Sequence, residues 1–261
     1  MDPEKLVETA LRSKDKRRAT QAAEYLESLL STDPTDARML NQLGTLYLNM
    51  GKTAAAVETF RRLLEAHPEE RSALNNAAYA MALERRYRDA EALYQAALAA
   101  DPEDVEVQNN LGLLYALEGD SQRAIEQFRQ VLRKDPGNRE TLNSLGCTQR
   151  DAGDLSGAVV TFERLLRADP GNAEAHNNLG CALRAMGKLR EAIYHLSEAV
   201  RLDADDAIAH YNLGVCYAHR GEYEKAEAHF NRYLALPGEV GHEREIEGFL
   251  ERLRRDMEKA D

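Results

Sequence analysis

Apolar residues return along this chain at helical spacing, in two stripes per period, and the period does not drift. Between residues 37 and 66 the first stripe is Leu40, Leu43, Gly44 and Tyr47, and the second is Ala56, Phe60, Leu63 and Leu64. The spacing i, i+3, i+4, i+7 is that of an amphipathic helix. Gly51 separates the two stripes, and the same pattern recurs every 34 residues. With position 1 taken as the third residue after a leading proline, periods begin at Ala37, Arg71, Val105, Arg139, Ala173 and Ala207, and a degenerate first one begins at Pro3. The pattern predicts seven helix-turn-helix units over 3–240: 3–36, 37–70, 71–104, 105–138, 139–172, 173–206 and 207–240. Residues 241–261 follow as a capping helix and tail, with Ile246, Phe249, Leu250, Leu253 and Met257 on one face. No segment alternates as a strand would, so the expected class is all-α.

Punctuation agrees with this division. Pro34, Pro68, Pro102, Pro136 and Pro170 stand 34 apart at position 32, where a residue without an N–H cannot continue the second helix. Asp36, Asp104, Asn138, Asn172 and Asp206 stand ready to cap the next helix. Ala204 replaces the sixth proline, and a smoother helix or a shifted register is expected at that junction. Position 8 is Gly44, Ala78, Gly112, Gly146, Gly180 and Gly214, although glycine inside a helix costs about 1 kcal/mol relative to alanine. Position 20 is alanine in every unit, from Ala22 to Ala226, and a close crossing of these small residues is expected.

Leu-Gly at positions 7 and 8 (43–44, 111–112, 145–146, 179–180, 213–214), Tyr at 11, Ala at 20, Phe or Tyr at 24 and Pro at 32 resemble the tetratricopeptide repeat family. Position 4 departs from it, with Leu40, Leu74, Gln108, Leu142, His176 and His210 and no tryptophan. The resemblance implies a right-handed superhelical solenoid of antiparallel helix pairs. It further implies a concave groove lined by positions 2, 5, 6, 9, 12 and 13 of the first helices, with a terminal helix covering the end of the stack.

Those groove positions carry an uncommon run of amides. Position 5 is Asn41, Asn75, Asn109, Asn143 and Asn177, then Tyr211; position 6 includes Asn76, Asn110, Asn178 and Asn212. Asparagine competes with the helix backbone for hydrogen bonds, so the run needs a cause. A primary amide donates and accepts, and so can read the backbone of an extended peptide. The run is similar to the asparagine ladder in the repeat half of O-linked N-acetylglucosamine transferases, although Asn at position 6 also belongs to the family pattern. Tyr79 would add an aromatic contact, and Arg150 and Arg184, both at position 12, could receive a ligand carboxylate. Asparagine at position 5 argues against the dicarboxylate clamp of chaperone-tail binders, which uses lysine there.

Charge and chemistry narrow the partners. Asp and Glu number 45 against 34 Lys and Arg, a formal charge of −11, which disfavours nucleic acid or an anionic membrane. No apolar run is long enough to span a bilayer. Three cysteines, Cys147, Cys181 and Cys216, fit neither a disulfide framework nor a metal spacing, and reduced thiols in a cytoplasmic protein are expected. His176 with His210, and His195 with His229, repeat one period apart and read as packing or surface residues. No catalytic motif is found and no cofactor is expected. The sequence is thus read as a non-enzymatic adaptor binding an extended peptide or protein segment. Two other readings stay open: a self-assembling scaffold, and a regulatory subunit acting in trans on an enzyme such as a glycosyltransferase.

Overall fold

The computed structural model describes residues 3–13, 15–236 and 241–258, with side chains for 4–13, 15–236 and 241–252. Among them there are fifteen α-helices and no strand. They group into two compact bodies, with the division of the chain falling between Val131 and Leu132. The first holds α1 (Pro3–Arg12), α2 (Lys16–Leu30), α3 (Ala37–Asn49), α4 (Thr53–Ala66), α5 (Arg71–Leu83), α6 (Tyr87–Ala100), α7 (Val105–Glu118) and most of α8 (Ser121–Lys134). The second holds α9 (Arg139–Asp151), α10 (Leu155–Ala168), α11 (Ala173–Ala185), α12 (Leu189–Leu202), α13 (Ala207–His219), α14 (Tyr223–Ala235) and α15 (Glu243–Glu258).

From α1 to α7, and again from α9 to α15, each helix packs on the one that follows it. Within the first body α3 also touches α5 and α5 touches α7, whereas α4 does not reach α6 among the described residues. In the second body α9 touches α11 and α11 touches α13, whereas α10 and α12 stay apart among the described residues. First helices therefore crowd along one inner face of each body, and second helices splay along the other.

Caps fix where the helices begin. Asp36, Asp104, Asn138, Asn172 and Asp206 accept from the N–H groups of Met39, Val107, Thr141, Ala175 and Ala209 at 2.7–3.1 Å. At the turn between the two helices of a pair, Gly51, Gly119, Gly153, Gly187 and Gly221 adopt φ between 72° and 85°, which costs glycine nothing. Arg85 occupies the same place in the third pair at φ 61°, a left-handed conformation that an L side chain resists.

Two expectations are corrected. Ala204 leaves no smoother helix: α12 ends at Leu202, 34 residues after α10 ends at Ala168, and Asp203 is as extended (φ −135°) as Asp169 before Pro170 (φ −143°). Asp203 Oδ1 accepts the N–H of Asp205 at 3.1 Å, as Asp101 Oδ1 accepts that of Glu103 at the same distance, so this aspartate turn closes the pair with or without proline. The glycine at position 8 meets not the alanine at position 20 but the side chain at position 24. A Cβ on Gly44, Gly112 or Gly146 would lie 2.6 Å from Phe60, Phe128 or Phe162, and one on Gly180 would lie 2.6 Å from Leu196. The backbone of the position 20 alanine is also close at Gly180, with Ala192 O 3.2 Å from that Cβ.

α15 covers the end of the second body. Ile246 and Leu250 are buried with Phe230 and Tyr233, and Phe249 meets Phe230 edge-on at 5.3 Å. Leu253 and Met257, assigned to the same face from the sequence, lie outside the described side chains.

Candidate functional site

The inner face is built from first-helix positions 5, 6, 9, 12 and 13, and its amides are largely joined to one another. The position 6 amide of one repeat donates from Nδ2 to Oδ1 of the position 5 amide of the repeat before. Asn76 donates to Asn41 at 3.0 Å and Asn110 to Asn75 at 3.0 Å in the first body. Asn178 donates to Asn143 at 3.2 Å and Asn212 to Asn177 at 3.0 Å in the second. Position 5 amides turn their own Nδ2 to a glutamate of the next repeat, Asn75 to Glu106 at 2.9 Å and Asn143 to Glu174 at 2.8 Å. Asn75, Asn109, Asn177, Asn178 and Asn212 are buried, and Asn41, Asn76, Asn110 and Asn143 half-buried. A buried amide must find partners inside the protein, and here the partner is the next repeat. Each position 6 amide still has one N–H that this bond leaves over.

Beside the amides the two bodies differ. On α5 and α7 the outer edge of the face is apolar: Tyr79 and Leu83 are 47% and 49% exposed, Leu117 is 61% exposed, and Leu113 is half-buried between them. Tyr79 was legible in the sequence; the leucines at positions 9 and 13 were not singled out, although the same helical phase places them there. On α9 and α11 the corresponding edge carries Cys147, Arg150, Cys181 and Arg184. Arg150 donates from Nη1 to Asn178 Oδ1 at 3.1 Å and from Nε to Asp151 at 3.0 Å. Arg184 lies against Cys181, Cys216 and Tyr211. Tyr211, at position 5 of α13, leaves the amide row: its ring stacks on His242 at 4.2 Å and its hydroxyl donates to Glu245 at 3.3 Å.

The three thiols are free. Burial pushes all three above the ordinary thiol range, Cys216 to about 11, although Arg184 beside Cys181 and Cys216 pulls the other way. They are therefore protonated near neutrality and poor nucleophiles.

The histidines form a repeated contact that their spacing alone did not reveal. His176 Nδ1 lies 3.0 Å from His195 Nδ1 while its Nε2 faces Pro170 O at 3.3 Å. One repeat on, His210 and His229 repeat both contacts, at 3.0 Å and, to Ala204 O, at 3.3 Å. A carbonyl only accepts, so Nε2 carries the proton, Nδ1 of the same ring accepts, and the partner ring donates. Burial, reinforced by the neighbouring ring, lowers His195 and brings His229 down to about 4. These pairs sit between a first and a second helix, away from the inner face, and tie the helix pair to the preceding turn. Among the described residues no group of three or more His, Cys, Asp or Glu could hold a metal ion. No described helix is long and apolar enough to cross a membrane.

Comparison with known proteins agrees with this architecture. One tetratricopeptide repeat model matches residues 15–83 and 115–180, and a second matches 79–139 and 177–239. None of the curated proteins compared matches the chain. Among solved structures, a tetratricopeptide repeat protein from Parabacteroides merdae superposes with a TM-score of 0.72 at 20% identity, over 94% of this chain and 96% of that one. A chain of the APC/C hetero-tetramer Cut9–Hcn1 gives 0.69 at 22% identity over 90% of this chain, which spans only 46% of its length. YrrB, described as a TPR protein with an unusual peptide-binding site, gives 0.55 at 19% identity over 77% of this chain and all of that one. With the paired helices, the 34-residue period and the family models in agreement, the chain belongs to the tetratricopeptide repeat family.

Proposed function

We propose that this protein is a non-catalytic adaptor that binds an extended peptide or protein segment on the inner face of its first helices. One observation carries the reading: Tyr79, Leu83 and Leu117 hold large apolar surface in water on the same face where neighbouring positions are buried or bonded between repeats. Exposed apolar patches of this kind mark interaction sites. The second N–H and the carbonyl of Asn76 and Asn110, not used in the bonds to Asn41 and Asn75, lie beside these side chains and can pair with the backbone of a ligand strand. The amide row thus has a first role in joining repeats and only a secondary one toward the ligand, a smaller share than its composition alone implied. The likeness to YrrB supports the reading by analogy of fold.

Selection of a random peptide library against the full chain tests it. Enriched peptides should lose at least about tenfold in affinity on Tyr79→Ser with Leu117→Ser, because losing contact with either side chain removes on the order of 1.5 kcal/mol. Peptides that bind the double variant as tightly, with its circular dichroism unchanged, would place the binding surface elsewhere.

A further inference from the structure

Arg150 and Arg184 occupy the same position one repeat apart, and the first shows what the second lacks. Arg150 has its Nε on the Asp151 carboxylate at 3.0 Å and its Nη1 on Asn178 Oδ1 at 3.1 Å. In the next repeat the residue matching Asp151 is Ala185, exposed at the end of α11. The amide matching Asn178 is Asn212; both donate to the position 5 amide of the repeat before, but among the described residues only Asn178 Oδ1 also accepts from the arginine. No carboxylate comes within ion-pair distance of Arg184 among the described residues, and its Nε is buried without any hydrogen-bond partner. A guanidinium N–H held out of water without an acceptor is unfavourable. The acids nearby have donors of their own: Asp206 caps α13, Glu174 receives Asn143, and Glu245 receives Tyr211. Around Arg184 lie the Cys181 thiol, Cys216 and the Tyr211 ring, a weakly polar wall in which a charge-assisted bond is strengthened.

We propose that Arg184 is the anchor for a ligand carboxylate, which takes the place on its guanidinium that Asp151 takes on that of Arg150. The source is either an acidic side chain or the terminal carboxylate of a peptide, and the inference rests on the reading of the inner face as a peptide-binding surface. Arg150, already neutralised by Asp151, serves as the built-in template and not as a second anchor. A carboxylate suits the site because the planar fork of arginine matches it, and because the same chain uses one on the equivalent nitrogen.

The test uses the full chain and the Nε–H resonance of Arg184. Capped Gly-Gly-Asp-Gly-Gly amide supplies a side-chain carboxylate, N-acetyl pentaglycine acid supplies a terminal one, and N-acetyl pentaglycine amide supplies none. The expected result is a saturable shift of the Arg184 signal with one or both acids, none with the amide, and little movement of Arg150; the acid that responds names the source. Ala185→Asp places the missing carboxylate in the chain itself, and should raise Tm by about 2 °C and abolish the response. The same substitution in an Arg184→Gln background should give no such rise. Equal stabilisation in both backgrounds, an unmoved Arg184 signal, or a response that survives Ala185→Asp would overturn the assignment. Library-selected peptides whose affinity depends on Tyr79 but is unchanged by Arg184→Gln would refute this inference alone. A saturating Arg184 signal with no library peptide bound would uphold the carboxylate site and refute the broader reading.

Discussion

Removing both partners of a buried amide pair between repeats should cost less than the sum of removing each alone. Asn212 and Asn177 are 6% and 8% exposed, and the bond from Nδ2 to Oδ1 is 3.0 Å long and buried. Asn212→Ala leaves Asn177 Oδ1 in a dry place without its donor, a loss of about 1–3 kcal/mol, while an exposed hydrogen bond would be worth nearer 1 kcal/mol. Asn177→Ala strands the Asn212 N–H in the same way. In the double variant no buried polar group is left over, so its cost should fall short of the sum of the singles by about 1 kcal/mol or more. The half-buried pair Asn41 and Asn76, also 3.0 Å apart, should show a coupling of only a few tenths of a kcal/mol, because water can replace either partner. Urea unfolding followed by circular dichroism measures all four corners of each cycle, provided the slope m stays constant. A fall in m for the singles would itself be informative, since weakened coupling between repeats splits one transition into several. Strictly additive singles at Asn177 and Asn212 would refute the assignment of this amide row to the repeat interface.

Three further outcomes are expected. Arg85→Gly should stabilise by about 0.5–1 kcal/mol, since relief of the left-handed penalty at φ 61° outweighs the unfolded-state entropy that glycine adds; an unchanged denaturation midpoint would show the turn to be unstrained. Gly146→Leu should cost about 1–3 kcal/mol or more, because a Cβ there is already 2.6 Å from Phe162, and Phe162→Ala should lessen the penalty of the leucine; a melting curve equal to wild type would deny the contact. His229 stays neutral in the fold down to about pH 4, whereas an unfolded histidine titrates near 6.5, so stability is complete above about 6.5 and declines as the pH falls toward 4. Since the ring is partly reached by solvent, the loss is about 1–2 kcal/mol instead of the full linkage value. Thermal melts at pH 7.5 and 4.5 should show that difference narrowing in His229→Gln, and an identical pH dependence in the variant would refute it.

The helices were legible because two different signals, the 3.6-residue stripe and the side chains that cap the first helix, agree in five of the seven repeats. What the glycines at position 8 touch was not legible: spacing puts Gly112 on the buried side of α7, but only the reach of the Phe128 ring decides that it, and not Ala124, fills the gap. The junction at Ala204 was misjudged for a related reason, since proline is the visible mark there while the turn made by Asp203 does the stopping. For the amides, the sequence showed two polar columns and their face, but not that Asn110 reaches back to Asn75, a rotamer choice made across two helices. The histidine pairs were hidden the same way, because positions 4 and 23 are adjacent only once the pair has closed.

The amide joints are also a rule for inheritance. Each bond links residues 35 apart, so both halves of a joint never lie in the same repeat. A segment of 34 residues copied whole carries both halves side by side, position 6 reaching to the repeat before and position 5 to the repeat after, as Asn76 and Asn75 do. Arrays built this way can lengthen or shorten by whole repeats while every new seam fits at birth. The rule lapses where position 5 is Val7 or Tyr211, the latter turned toward His242, and where position 6 is Ser144.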